Sequence, residues 1–310
     1  MSSNIKIDPN LPADTVWFIT GCSSGIGKSL AQEIFNATTH SIIATARNPS
    51  SLSYLPKSPR VLALALDVTS QSSITEALAS GLSTFKHIDI LVNNAGYGVL
   101  GDTESIPDDI ARKILETNFW GAVRLTNEAV RIFREVNGEK GGLVMQLSSM
   151  GGVLAVAGQA YYHASTSKFA LEGLTESLYH EIPKSWNIRF LIVEPGGVKT
   201  NYCTSSLVKT PTHPAYTDPS FATRQMEACL ENPSLEDYMA DPDRVAQILL
   251  EATKLERKGE MGLRLPVGPD SWSAIKGKYE AELGGLEKVK ELSWSTGNES
   301  ILKLTGSFFE

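Results

Sequence analysis

A glycine-rich turn, TGCSSGIG at residues 20–27, follows a short apolar run and precedes a helical pattern. A diphosphate that approaches a helix N-terminus needs exposed backbone N–H groups and no Cβ in its way. Gly21, Gly25 and Gly27 can supply the tight turn, the close approach and the helix-to-strand packing, so the turn predicts a dinucleotide diphosphate site. Its spacing differs from the general G-x-G-x-x-G fingerprint, and a purely structural turn stays an alternative.

The end of the second apolar run indicates which dinucleotide would fit. Twenty residues after Gly27, where an NAD site would hold Asp or Glu against the ribose 2′-hydroxyl, the chain reads ATARN at 44–48. The guanidinium of Arg47 can pair with a 2′-phosphate, which a carboxylate would repel. We therefore expect NADP(H) in preference to NAD(H). The alternative is an exposed arginine in a turn.

Short apolar runs alternate with helical stretches from Val16 onward, which is typical of βαβ units and a parallel sheet. Seven runs predict strands at 16–20, 41–46, 61–66, 88–93, 143–148, 188–194 and 263–267. Helices are predicted at 27–35, 72–85, 108–136 with a break near Asn118, 165–182 and 242–254. The predicted fold class is therefore α/β, with one open sheet of seven parallel strands flanked by helices.

The length of 310 residues suits one large α/β domain with additions at its ends. We expect an N-terminal extension at 1–14, a single domain at 15–270 and a C-terminal helical extension at 271–310. Within the domain, 200–240 is rich in Pro, Ser and Thr and breaks the alternation, with one helix expected near 223–230. Insertions of this length are typically substrate lids or disordered loops. The extension is expected to pack or to mediate oligomer contacts.

Composition and charge exclude several classes of protein. A hydrophobic content of 42% is ordinary for a globular protein, and a net charge of −7 supplies no general basic surface, so we expect no nucleic-acid partner. The 3 cysteines, Cys22, Cys203 and Cys229, lack metal-ligand spacing and suit a reducing compartment, so no metal is expected. The sequence shows no signal-peptide pattern and no long apolar run, which predicts a cytoplasmic protein without a membrane partner.

Six short motifs follow one another between about residues 15 and 200. They are TGCSSGIG at 20–27, Asp67-Val68, NNAG at 93–96, Asn118 within TNFWG, SSMGG at 148–152 and EPGGVKT at 194–200. In this order they resemble the motifs of the short-chain dehydrogenase/reductase family. The resemblance implies a Rossmann-type, doubly wound sheet. It also implies cofactor contacts from Gly21, Ser23, Ser24, Gly25, Ile26, Gly27, Arg47, Asp67, Val68, Asn94, Ala95, Gly96, Pro195, Gly196, Val198 and Thr200.

The same resemblance implies a catalytic quartet, Ser149, Tyr162, Lys168 and Asn118, for hydride transfer between the nicotinamide and a carbonyl or alcohol. The substrate oxygen needs a proton as the hydride arrives, and a phenol with its ordinary pKa of about 10 ionises too reluctantly. A nearby lysine ammonium would lower that pKa, the serine hydroxyl would hold the carbonyl, and the asparagine would organise a water route.

The tyrosine-to-lysine spacing departs from the family pattern Y-x-x-x-K. Tyr162 and Lys168 are six apart, whereas the interval of thirteen from Ser149 to Tyr162 is similar to that of the family, so two extra residues precede the lysine. On a continuous helix a separation of four leaves two side chains about 40° apart, and a separation of six about 240°.

Three outcomes of this insertion are open. Residues 163–167 can bulge, so that Tyr162 still reaches the site. The pair can instead be decoupled, which would leave redox chemistry slow or absent. In the third outcome Tyr161 or His163 takes over proton transfer, and the ordinary pKa of histidine suits that role.

The main functional hypothesis is an NADPH-dependent reductase for a ketone or aldehyde of a small, fairly apolar substrate, reversible as an alcohol dehydrogenase. Residues 153–156 and the 200–240 segment would line the substrate, unless 153–156 simply pack in the core. The extra residues motivate a second hypothesis of non-redox chemistry, such as cyclisation, elimination or isomerisation. A third is a redox-impaired nucleotide-binding homologue. A homo-oligomer is expected only by analogy with the family.

Overall fold

The structure is a computed structural model that describes residues 11–159, 166–202, 204–297 and 300–306. Its strands are β1 (Val16–Ile19), β2 (Ser41–Ala46), β3 (Val61–Ala65), β4 (Ile90–Asn93), β5 (Gly98–Leu100), β6 (Gly142–Leu147), β7 (Ile188–Pro195), β8 (Leu207–Lys209) and β9 (Arg264–Val267). Its α-helices are α1 (Gly25–Ala37), α2 (Gln71–Phe85), α3 (Asp108–Leu115), α4 (Gly121–Glu135), α5 (Thr166–Glu181), α6 (Ala222–Glu231), α7 (Pro242–Arg257), α8 (Pro269–Trp294) and α9 (Ile301–Thr305).

Seven of the strands form one parallel sheet in the order β3-β2-β1-β4-β6-β7-β9. The predicted fold class is confirmed, and each of these strands begins and ends within two residues of its predicted bounds. The strand order reverses between β1 and β4, which carry the two segments that the sequence predicts to bind the dinucleotide. In open α/β sheets a crevice forms at such a switch point, beyond the carboxyl ends of the strands.

The first strand shows why these residues form a central strand. All four side chains of β1 are fully buried, which is typical of a parallel strand covered on both faces. Successive side chains point to opposite faces, so Val16 and Phe18 join one core and Trp17 and Ile19 join the other.

Helices cover each face of the sheet and complete these two cores. On the Trp17 side, α1 and α7 bury Leu30, Ile34 and Leu249. On the Phe18 side, α2 and α4 bury their apolar stripes, which comprise Ile74, Ala77, Leu78, Leu125, Ala129, Ile132 and Phe133. The result is a three-layer, doubly wound domain. The predicted site lies at the edge of the sheet where the carboxyl ends of the strands meet.

Two short strands lie outside the main sheet. β5 and β8 pair in parallel, with Gly98 level with Leu207 and Leu100 level with Lys209. Neither was predicted, because three residues are too few to show an alternating pattern. Their pairing ties the segment after β4 to the 200–240 segment.

The C-terminal helix α8 begins at Pro269 and packs on the domain only through its first turns, where Ser271 and Ile275 are buried. Its second half exposes large apolar side chains, including Leu283, Leu286 and Leu292. Within the described ranges, no helix has both the length and the apolar character needed to span a membrane.

Candidate active site

The turn after β1 depends on glycine at specific positions. Gly21 has φ 71° and Gly25 has φ 56°, in the left-handed region that disfavours residues with a Cβ. A Cβ on Gly21 would lie 2.9 Å from the Cα of Ala95, and one on Gly27 would overlap the side-chain amide of Asn94. The glycines therefore allow the turn to approach the chain after β4 closely.

Neutral hydrogen bonds lock these two segments together. The hydroxyl of Thr20 accepts from the backbone N–H groups of Asn94 and Ala95, each at 2.9 Å. The Asn94 side chain in turn donates to the carbonyl oxygens of Thr20, at 2.8 Å, and Gly21, at 3.1 Å. Asn94 therefore braces the glycine turn as well as lining the space beside it.

The turn is also held from β2. The N–H of Cys22 donates to the Thr45 carbonyl at 2.9 Å, and the Tyr54 hydroxyl donates to the Cys22 carbonyl at 2.8 Å. Burial raises the pKa of the Cys22 thiol to about 12, so this thiol stays protonated at neutral pH. Cys22 serves as a packed part of the turn.

A cavity of about 820 Å³ opens at the C-terminal edge of the sheet. Fifteen of the sixteen sequence-predicted cofactor residues line it: Gly21, Ser23, Ser24, Gly25, Ile26, Arg47, Asp67, Val68, Asn94, Ala95, Gly96, Pro195, Gly196, Val198 and Thr200. The remaining one, Gly27, is buried behind the turn against Asn94. The volume lies in the range of ligand pockets in proteins, near its upper end.

Charged groups mark the end of the cavity near β2 and β3. Arg47 is exposed there and lies close enough to Asp67 to contribute to the low pKa of that carboxyl. The main causes of the low Asp67 pKa are hydrogen bonds from the hydroxyl and N–H of Thr69, at 2.7 and 2.9 Å. Asp67 is therefore ionised and oriented, while the Arg47 guanidinium stays available to an anion.

Ser149 is the second residue after β6, and it lines the cavity together with Leu147 and Ser148. Its backbone is extended, with φ −165° and ψ 161°. Its hydroxyl accepts from the Gly151 N–H at 3.2 Å and lies 3.5 Å from the Pro195 carbonyl. These two contacts fix a hydroxyl at the cavity wall.

Asn118 lies behind the cavity wall in a π-helical turn, Glu116–Trp120, between α3 and α4. The predicted break near Asn118 is this turn, and π-turns often occur at functional sites. The Asn118 side chain, 1% exposed, accepts from the Tyr97 N–H at 3.1 Å and donates to its carbonyl at 3.0 Å. It also lies 3.4 Å from the Ser167 hydroxyl. Asn118 therefore connects the chain after β4 to the start of α5.

Lys168 lies in the first turn of α5 and is 1% exposed. Its ammonium donates to the carbonyl of Leu147, the last residue of β6, so it sits behind the cavity wall that Ser149 forms. Burial lowers the pKa of Lys168 to about 8, and the carboxylate of Glu172, one turn later, opposes this shift. At neutral pH the ammonium is still mostly charged.

A buried charge cluster that the sequence does not predict lies next to this lysine and includes Glu172. Glu172 accepts from the Ser148 hydroxyl and from Arg264, and Arg264 also donates to Glu194 at 2.8 Å. Burial, and then repulsion from Glu172, raise the pKa of Glu194 to about 7. One Glu194 oxygen, Oε2, is buried without a hydrogen-bond partner among the described residues. The cluster therefore changes protonation near neutral pH.

The predicted proton donor, Tyr162, lies outside the described residues. Tyr161 and His163, which the sequence offers as substitutes, lie outside them as well. Of the predicted quartet, the structure describes Ser149 at the cavity wall, with Asn118 and Lys168 behind it.

The other end of the cavity is lined by side chains that the sequence does not single out individually, although it does predict that the 200–240 segment lines the substrate. They come mostly from the segment between Thr200 and Ala240: Tyr202, Ser205, Ser206, Val208, Met226, Leu230 and Met239. Met226 and Leu230 are four apart on a helix, a spacing that could have indicated a shared face. Of the predicted apolar wall at 153–156, Val156 lines the cavity, whereas Val153 is buried and Ala155 is exposed.

Comparisons with known proteins agree with this fold. The family model described as short chain dehydrogenase matches residues 15–209. The oxidoreductase calM of Penicillium decumbens is 42% identical over 287 residues, which is 91% of this chain and 93% of the relative. An uncharacterized oxidoreductase of Schizosaccharomyces pombe is 33% identical over 91% of this chain and 92% of its own.

A solved structure supports the same assignment. The crystal structure of a short-chain dehydrogenase from Streptomyces avermitilis superposes with a TM-score of 0.78 at 31% identity, covering 91% of this chain and 100% of the other. The predicted family is confirmed by this likeness, by the matched model and by the two relatives. The chain belongs to the short-chain dehydrogenase/reductase family of oxidoreductases.

Proposed function

We propose that the protein is an NADPH-dependent reductase for a ketone or aldehyde of a small, fairly apolar substrate, working reversibly as an alcohol dehydrogenase. One observation carries this proposal. A single cavity of about 820 Å³ extends from the glycine turn and Arg47 to Ser149 and the apolar side chains of α6. Such a space can hold a dinucleotide and a second molecule side by side.

The residues present fit a dinucleotide. The backbone of residues 21–26 surrounds the N-terminus of α1, where N–H groups and the helix dipole favour a diphosphate. Arg47 can pair with a 2′-phosphate, which supports NADP(H) over NAD(H). Asp67 and Val68 would line the adenosine end, and Thr200, in the chain after β7, lies beside Gly25 of the turn. When bound, the dinucleotide supplies the hydride.

The chain's own groups would handle the proton and the carbonyl. The fixed Ser149 hydroxyl can donate to the carbonyl oxygen and stabilise the charge that develops on it. Tyr162 is proposed as the proton donor, with the Lys168 ammonium lowering the phenol pKa through its positive charge. The Leu147 carbonyl holds that ammonium close behind Ser149. Met226, Leu230 and Met239 give the same end of the cavity an apolar lining, which favours an uncharged substrate.

The position of Lys168 also supports a second candidate function. Its ammonium contacts the Leu147 carbonyl behind the cavity wall. Because electrostatic interactions weaken with distance, this ammonium would lower the pKa of a phenol inside the cavity less than an ammonium in the wall would. The same site could then bind the dinucleotide and perform non-redox chemistry, such as a cyclisation, elimination or isomerisation, or could be redox-impaired.

Purified protein mixed with NADPH and a panel of ketones, aldehydes and quinones tests the proposal. We expect NADPH oxidation with at least one apolar carbonyl compound. Replacing Ser149 by alanine should slow it about 100-fold while NADPH affinity is retained. Absence of oxidation although NADPH binds would contradict the reductase proposal. Substrate turnover without a net change in NADPH would favour the second candidate. Equal affinities for NADPH and NADH would contradict the cofactor preference.

A further inference from the structure

The wall that closes the substrate end of the cavity is a single chain segment, which we call the substrate wall (residues 201–239, of which Cys203 is outside the described residues). Its two ends are held to each other, because Val198 pairs with Ala240 and the Lys199 N–H donates to the Ala240 carbonyl at 2.9 Å. Between these ends the helix α6 carries Met226 and Leu230 to the cavity. The position of α6 therefore sets the shape of the apolar end.

An ion pair with a fully buried acid attaches α6 to the domain. The side chain of Asp102, just after β5, is 0% exposed, and both of its oxygens accept from Nη2 of Arg224 at 3.1 Å. Asp102 also accepts from the backbone N–H of His213 at 3.0 Å. The Arg224 side chain is 11% exposed and makes further contacts with Thr212 and Glu227. Asp102 thus binds the substrate wall at two positions.

Helix geometry connects this ion pair to the cavity. Arg224 precedes Met226 by two residues, which places the two side chains about 160° apart around the axis of α6. While Arg224 is held by Asp102, Met226 and Leu230 are held toward the cavity. Rotation of α6 would require the buried carboxylate to lose its cation, which is unfavourable at low dielectric.

We propose that Asp102 and Arg224 are positioning residues that determine substrate specificity by fixing the rotation of α6 and the shape of the apolar end of the cavity. The kinetic part of this inference rests on the proposed reductase function. The substrate class that fits is an uncharged carbonyl compound whose apolar part contacts Met226 and Leu230.

The test compares Asp102→Asn and Arg224→Gln with the parent protein. Loss of either charge should raise KM for an apolar carbonyl substrate about tenfold while kcat stays within about threefold. Affinity for NADPH should stay unchanged, because neither Asp102 nor Arg224 lines the cavity. Chymotrypsin should cut after Phe221, the residue before α6, about ten times faster in both variants.

Two controls isolate the ion pair. Lys209→Met breaks an exposed ion pair with Glu231 in the same segment and should change neither KM nor cleavage. In the double variant Asp102→Asn, Arg224→Gln, the free-energy changes in KM and in cleavage should be smaller than the sum of those in the two single variants. The reason is that the second substitution removes a charge that the first has already left unpaired.

The outcomes separate this inference from the proposed function. If both single variants keep the parental KM and cleavage rate, or if NADPH affinity falls by the same factor as substrate affinity, the positioning role is wrong. If the parent protein reduces no carbonyl compound but both variants are cleaved faster with unchanged NADPH binding, the reductase proposal fails and the positioning of α6 stands. Should Asp102→Asn not fold, Arg224→Gln decides, because it leaves Asp102 bonded to His213.

Discussion

The two ends of the cavity are held together by different kinds of interaction. At the end of the cavity near the glycine turn, which we call the nucleotide end, neutral hydrogen bonds join neighbouring segments of the chain. Examples are the bonds of Thr20 with Asn94 and of Cys22 with Thr45. The catalytic end depends on buried charges, the Arg264 cluster and the Asp102–Arg224 pair. Neutral bonds tolerate changes of pH, whereas buried ion pairs need both members and the right protonation state. The catalytic end should therefore respond to pH and to single charge changes.

The largest effect should follow from filling the glycine turn. In Gly27→Val the new side chain overlaps the Asn94 amide and the Gly21 carbonyl, so we expect NADPH to bind at least about 100-fold more weakly. Fluorescence titration measures the affinity. Gly173→Ala is the matched control, since a Cβ there meets open space on α5, and its affinity should be parental. If the valine variant binds NADPH with the affinity of the parent protein, the glycine turn is not part of the NADPH site.

A smaller effect is expected at Arg47, whose charge is proposed to set the cofactor preference. Arg47→Glu should weaken NADPH binding about 30-fold, because a carboxylate repels the 2′-phosphate, while NADH affinity changes little. Titration with both dinucleotides gives the ratio of the NADPH affinity to the NADH affinity. Arg244→Glu, an exposed change on α7, controls for net charge. An equal loss for NADPH and NADH would argue against a 2′-phosphate contact.

Deleting Thr166 and Ser167 restores the family spacing and probes the catalytic end. Ser167 is buried and lies 3.4 Å from the Asn118 amide, so the deletion removes a contact of Asn118 and we expect the reduction rate to fall about tenfold. NADPH affinity should be retained. Ser167→Ala removes the same hydroxyl but keeps the spacing. It therefore separates the effect of losing the hydroxyl from the effect of shortening the chain by two residues. A faster deletion variant would instead show that the extra residues impair the chemistry.

The last expected effect is on stability, with no change of binding or rate implied, and it depends on pH. The Glu194 pKa is raised from its ordinary value of 4.5 to about 7. Stability from this group is therefore full below pH 4.5 and is lost as pH rises through 7. Glu194→Gln cannot ionise, so its stability relative to the parent should rise by on the order of 2 kcal/mol between pH 4 and pH 8. Thermal unfolding at both pH values measures this, and a constant difference would contradict the assignment.

The same contrast explains what the sequence could predict. The seven strands and the glycine turn depend on local patterns, namely apolar runs and glycines at fixed spacing, and were found with nearly correct bounds. Asp102 and Arg224 are 122 residues apart, and Glu172 and Arg264 are 92 apart. Pairings of this kind arise only when the sheet brings distant segments together, so a single sequence carries no signal for them. The placement of the Lys168 ammonium against the Leu147 carbonyl likewise depends on packing.

The pairing of β5 with β8 also determines how the molecule can open. The Gly98 N–H donates to Ser206 and the Thr210 N–H donates to Leu100, so the chain leaving the nucleotide end and the substrate wall share one small ladder. A fluctuation that frees one strand must free the other. The amides of Gly98 and Thr210 should therefore exchange with deuterated solvent at one common rate, and faster than the amides of the seven-stranded sheet.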